Sequence, residues 1–134
     1  MKLSSKSITA IKLFIDLGEH YNEGYSTLID ISARKDISRK FLEQIIPLYR
    51  NTGLLLVVRG NQGGYKLSKS PNEISLKDII YVTESSLSKY ETSDLAIDNV
   101  LDKMDNLISD FLENITLEKL IEKEIESYSN NYYI

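Results

Sequence analysis

The chain has no cysteine and no tryptophan, a single histidine and only two prolines. Without cysteine there can be no disulfide, no thiolate metal site, no cysteine nucleophile and no cysteine-held iron–sulfur cluster. The same absence fits a reducing cytoplasm, which is the expected location. The one histidine, His20, falls at the end of the first expected helix, where such a residue is ordinarily solvated. Long hydrophobic runs are missing too. The longest, Leu54 to Val58, is far too short to span a bilayer. The opening "MKLSSKSITAIKLF" lacks the apolar core and small-residue cleavage site of a signal peptide.

What remains is ordinary for a compact domain. Of 134 residues, 42% are hydrophobic and 27% charged, enough apolar material for a core and too much for disorder. The net charge of −4 hides a division. Residues 1–69 carry 11 Lys/Arg against 6 Asp/Glu, a net +5. Residues 70–134 carry 5 against 14, a net −9. Such asymmetry points to a polyanionic partner for the basic half.

Periodicity predicts a mostly α chain with one small β-hairpin. A first helix runs from about Ser5 to Tyr21, capped by Ser4 or Ser5, with Ile8, Ile11, Phe14, Ile15 and Gly18 at helical spacing. A short second helix begins after Ser26 or Thr27, turning Leu28, Ile31 and Ile29 inward. Asp36-Ile37 makes a tight turn. Ser38 caps a third helix whose inward stripe is Leu42, Ile45, Ile46 and Tyr49. Pro47 must bend that helix or tighten its last turn, and Gly53 suits a left-handed cap beyond it. Strands at Leu54–Arg59 and Gly64–Leu67 follow, then a connector at Pro71-Asn72. A fourth helix spans about Leu76 to Glu84, capped by Ser75.

The polar stretch 85–93 has no period and is expected to be a linker. A long amphipathic helix then covers about Asp94 to Glu113. Ile97, Val100, Leu101, Met104, Leu107, Ile108 and Phe111 recur in steps of three and four, close to a heptad seam. Asp98, Asp102, Lys103, Asp105 and Asp110 occupy the opposite face. A last helix runs from about Thr116 to Ser127, ahead of the tail "SNNYYI".

Three helices followed by a hairpin is the order of a winged helix-turn-helix, expected here over residues 1–84. The third helix would enter the major groove of DNA, braced by the second. Its outward positions include Ser38, Arg39, Lys40, Glu43 and Gln44. Arg39 and Lys40 can reach phosphates or guanine edges, and Gln44 can pair with adenine. Glu43 accepts only from a cytosine amino group and repels phosphate, so it costs affinity and sharpens choice. The hairpin "VVRGNQGGYKL" is then the wing. Arg59 at its base can clamp a phosphate or enter the minor groove. Lys66 and Lys69 add counterion-releasing contacts. The glycines allow a tight turn with positive φ and a close approach of backbone amides to phosphate, and Asn61, Gly63 and Gly64 are expected at the DNA.

These features together resemble the Rrf family of winged-helix bacterial regulators. The likeness is carried by "ISRKFLEQIIPLYRNTGLL", "VVRGNQGGYKLSKSPNEISLKDII" and "TLEKLIEKE", and covers nearly the whole chain. It implies a homodimer that reads a palindromic promoter site as a repressor. Residues 94–134 would supply the dimerisation helix, the final helix and a tail. The resemblance places Ser38, Glu43, Gln44 and Arg59 at the DNA. Phe41 replaces the family's common tyrosine and keeps only apolar contact, and Pro47 sits one position earlier than the usual proline. Cluster-binding members carry three cysteines where this chain has 85–93, so no cofactor or metal is expected. Sensing would then use a protein partner, a small molecule, or nothing.

Within the family the chain resembles the cluster-free repressors of cysteine metabolism. They are signalled through O-acetylserine thiol-lyase, whose active site accepts C-termini ending in isoleucine. The resemblance therefore implies Ile134 as an inserted residue, with Tyr132 and Tyr133 at the mouth; the other reading is a frayed terminus. No catalytic constellation is present. "GNQGGYK" lacks the helix and Lys-Ser/Thr of a phosphate-binding loop. The alternative to DNA binding is a winged-helix protein-interaction module.

Overall fold

The structure is a computed structural model. It describes residues 2–61, 63–84 and 92–132, with side chains as far as Ser129. Most of the expected linker, and Gln62, Tyr133 and Ile134, lie outside the described residues.

Among the described residues six α-helices and one hairpin follow in order: α1 (Ser5–Glu19), α2 (Leu28–Lys35), α3 (Arg39–Ile45), β1 (Leu55–Val58), β2 (Gly64–Leu67), α4 (Leu76–Thr83), α5 (Leu95–Glu113) and α6 (Leu117–Tyr132). Side-chain caps set the starts. The Ser4, Thr27, Ser38 and Ser75 hydroxyls each accept from the amide three residues on, and the Asp94 carboxylate accepts from Ala96 and Ile97. Thr27 with Asp30, and Ser75 with Asp78, complete reciprocal capping boxes.

Pro47 acts as its chemistry requires. It cannot donate to an α-helical carbonyl, so α3 stops at Ile45 and the chain tightens into a 3-10 turn over Ile46–Tyr49. That turn still delivers the expected stripe: Leu42, Ile45, Ile46 and Tyr49 are all buried. Asp36, at φ 52°, makes the left-handed corner between α2 and α3. Ile29 departs from expectation. It is 62% exposed, while Ile31 carries the inward face of α2.

The core gathers Leu13, Phe14 and Leu17 of α1 with Ile31, Leu42, Tyr49, Leu67 and Ile79. Phe14 and Tyr49 meet edge to face at 4.9 Å, worth about 1 kcal/mol beyond area burial. The Tyr49 hydroxyl donates to the Ile79 carbonyl at 2.7 Å, tying the turn after α3 to α4.

The last helix ends five residues later than expected, because the helix continues through the polar tail to Tyr132. It also returns to the winged helix. Leu117 is buried, and Ile121 packs so close to α1 that a Cβ on Gly18 would lie 2.6 Å from its Cδ1. Short backbone bonds, Leu76 N to Ile115 O and Leu117 N to Ile74 O, both 2.8 Å, stitch the starts of α4 and α6 together.

The expected seven-residue seam of α5 divides between two faces. Leu101 and Ile108 are half-buried, on the side where Leu112 is buried. Ile97, Val100, Met104, Leu107 and Phe111 point away, between 40% and 72% exposed. Asp98 and Asp105, expected on the solvated face, are half-buried instead. The reason is angular. Seven apolar positions on 19 residues span more arc than one contact can cover, and the chain's own body takes one edge of it.

Candidate nucleic-acid interface

An ion pair with a buried carboxylate holds α2 to α1. Asp16 of α1 is 1% exposed, and Arg34 of α2 grips it with two parallel bonds of 2.9 Å, Nε to Oδ1 and Nη2 to Oδ2. The same Nη2 donates to Ser26 Oγ at 2.7 Å. The bonds to the Asp16 carboxylate keep the Arg34 pKa above its ordinary value.

On this scaffold the outer face of α3 is open. Ser38, Arg39, Lys40, Glu43 and Gln44 are exposed, and Ser38 also caps the helix through Phe41 N at 3.1 Å. Phe41 is half-buried and packs against the core, so it serves the fold as much as the surface. The wing stands beside α3. Its strands pair antiparallel from Leu55–Leu67 to Val58–Gly64. Arg59 and Asn61 are exposed at the turn.

Between α3 and the wing lies an open groove of about 900 Å³. Glu43, Pro47 and Arg50 line one side, and Val57, Val58 and Arg59 the other. The structure thus brings Glu43 and Arg59 to one groove although they lie on different elements. Arg50 joins them there, exposed. Sequence reasoning passed over Arg50, at the end of the expected third helix, because nothing along the chain marks it as facing the wing.

The wing glycines make the expected tight turn, with Gly60 at φ 115° and Gly64 at φ 155°. Gly63 N donates to Gly60 O at 3.0 Å, so this amide is engaged by the turn itself. A Cβ on Gly63 would sit 2.0 Å from the Val58 carbonyl oxygen, and one on Gly64 would sit 2.3 Å from the Ser26 oxygen. Gly64 is therefore demanded by a third strand-like segment. Ser26 and Tyr65 exchange two backbone bonds of 2.8 Å, joining the start of α2 to the outer edge of β2. Lys66, expected to contact phosphate, has its ammonium over two rings, 5.8 Å from the centroid of Tyr21 and 5.6 Å from that of Tyr25. Lys69 is exposed. Of the tail residues Tyr132, Tyr133 and Ile134, only the backbone of Tyr132 is described.

Among the described residues no three His, Asp or Glu side chains are grouped to hold a metal ion, and no helix is long and apolar enough to cross a membrane. His20 Nδ1 lies 2.7 Å from Glu23 Oε2, a local contact.

Comparison with known proteins agrees with this geometry. Residues 3–123 match the Rrf2 family model, described as an iron-dependent transcriptional regulator. The regulator IscR of Pectobacterium carotovorum is 36% identical over 130 residues, covering 90% of this chain and 79% of its own length. The solved structure of CymR, the global cysteine regulator of B. subtilis, superposes with a TM-score of 0.80 at 30% identity, covering 92% of this chain and 98% of that one. IscR of T. potens gives 0.79 at 36%, covering 95% and 90%. The iron of the family description finds no thiolate here, so no step through a cysteine-held cluster can be drawn for this chain. A winged helix with an open recognition face, matched along nearly its whole length by transcriptional regulators rather than enzymes, places the chain in the Rrf2 family of winged-helix transcriptional regulators.

Proposed function

We propose that the chain acts as a homodimeric repressor that binds palindromic promoter sites, among them genes of cysteine or sulfur metabolism, without an iron–sulfur cluster. The observation that carries this reading is the shared groove. Glu43 of α3 and Arg59 of the wing line it together with Arg50, and Arg39, Lys40 and Gln44 are exposed on the same short helix as Glu43, which supports a surface with both base-reading and phosphate-binding groups. Glu43, the one acid among them, would select against phosphate-only contacts.

The dimer is supported by α5. Ile97, Val100, Met104, Leu107 and Phe111 repeat in steps of three and four, and all are exposed. Such a stripe is the seam of a helix pair and is costly to leave in water. The cysteine-metabolism assignment rests on the likeness to the B. subtilis regulator. A thiol-lyase partner at Ile134 belongs to the same proposal.

Selection of bound genomic fragments with the purified protein tests the reading. The expected result is one palindrome with half-sites about 10 bp apart or a multiple of that spacing. Recovery of no common sequence would overturn it.

A further inference from the structure

Lys66 does not extend freely from the wing. Its position follows from the register of three chain segments. Leu56 faces it on β1. On the other side the Ser26–Tyr65 bridge runs antiparallel, which sets Tyr25 opposite Lys66 and Thr27 opposite Gly64. Tyr21, from the turn after α1, closes the remaining side. The ammonium thus has two aromatic faces within 6 Å, at 5.8 and 5.6 Å from their centroids. Both are in the range where a ring quadrupole attracts a cation.

Two properties make this more than packing. Lys66 is half-buried and Tyr25 is 40% exposed, so the charge lies at the surface and not inside it. No carboxylate is paired with Lys66 among the ion pairs of the described residues. The rings hold the cation without neutralising it. The place is also apt. Gly64, two residues back along the strand, lies against the start of α2, which in a helix-turn-helix crosses the phosphate backbone.

We propose that Tyr21 and Tyr25 are positioning residues that hold Lys66 as a pre-formed phosphate contact flanking the groove that α3 reads. This rests on the DNA-binding reading above. A free lysine must give up rotamer freedom when it meets phosphate; here the rings have already restricted it, so more of the electrostatic gain survives as affinity. The contact is independent of sequence, unlike those of Glu43 and Gln44.

The test uses the full chain, a mixed-sequence DNA duplex and fluorescence anisotropy across a salt series. Lys66→Met should flatten the slope of log K against log salt by about 1.8 for a dimer that loses two phosphate contacts. Tyr25→Phe, which keeps the ring, should bind like the parent. Tyr25→Leu should weaken binding several-fold, yet add nothing in the Lys66→Met background, because the ring acts only through the lysine. Thermal unfolding of each variant identifies any that fail to fold, and Tyr21→Leu then serves in place of Tyr25→Leu. If the parent binds but Lys66→Met leaves the slope unchanged, or if Tyr25→Leu costs the same in both backgrounds, the cradle is overturned and DNA binding stands. If the parent binds no duplex, both fall.

Discussion

Arg34 and Asp16 lie 18 positions apart in the chain, yet their side chains meet through two bonds of 2.9 Å, with the carboxylate 1% exposed. This pair fixes α2, and through α2 the recognition helix, to the long axis of α1. The cost of removing one partner exceeds the worth of the pair, since it strands a buried charge. Arg34→Met should therefore destabilise the fold by about 3 kcal/mol in urea unfolding. Arg34→Lys should recover little of it, because an ammonium cannot make the parallel pair of bonds.

The stitch between wing and helix-turn-helix makes a second prediction. A Cβ on Gly64 would stand 2.3 Å from the Ser26 carbonyl oxygen, and that oxygen already accepts from Tyr65 N. Neither backbone can yield cheaply. Gly64→Ala should cost about 2 kcal/mol or more. It should also weaken DNA binding beyond what the loss of stability explains, measured at a temperature where the variant is fully folded.

Alkaline pH reports on the core. Burial pushes the Tyr49 phenol up to about 12. Between pH 10 and 12 the unfolded chain loses this proton and the folded chain keeps it, so unfolding is favoured as pH rises. The stability tied to Tyr49 is complete below pH 10 and lost as pH passes 12. Its size is on the order of 2 kcal/mol. Tyr49→Phe should flatten this part of the pH profile relative to the parent, at a constant cost of about 1 kcal/mol for the bond to Ile79.

The two faces of α5 should respond differently to charge. Leu107 is 72% exposed and Leu112 is 9% exposed. Leu107→Asp should leave a folded chain that sediments as a monomer. Leu112→Asp should unfold it. A parent that is itself monomeric at micromolar concentration would contradict the dimer reading.

Local chemistry made much of this architecture legible. Hydroxyl and carboxylate caps mark the starts of α1 to α5, Pro47 marks the end of α3, and Gly53, at φ 76°, marks the turn into β1. Those signals act within four residues and can be read along the chain. The Asp16–Arg34 pair, the Tyr25–Lys66 alignment and the place of Arg50 could not be read that way, because each depends on segments brought together by the core. The division of α5 was hidden for a related reason. Periodicity shows that a helix has an apolar arc, but not which edge of the arc its own chain will cover.

The central claim is that the exposed cations of α3 and the wing engage duplex DNA. Its most direct measurement is the salt dependence of duplex binding for the parent and for Arg59→Ala and Glu43→Ala. The account predicts affinity that falls linearly in log salt, a shallower slope and weaker binding of every duplex for Arg59→Ala, and an unchanged slope with relaxed base preference for Glu43→Ala. Binding that ignores salt, or an Arg59→Ala protein that binds as the parent does, would contradict it.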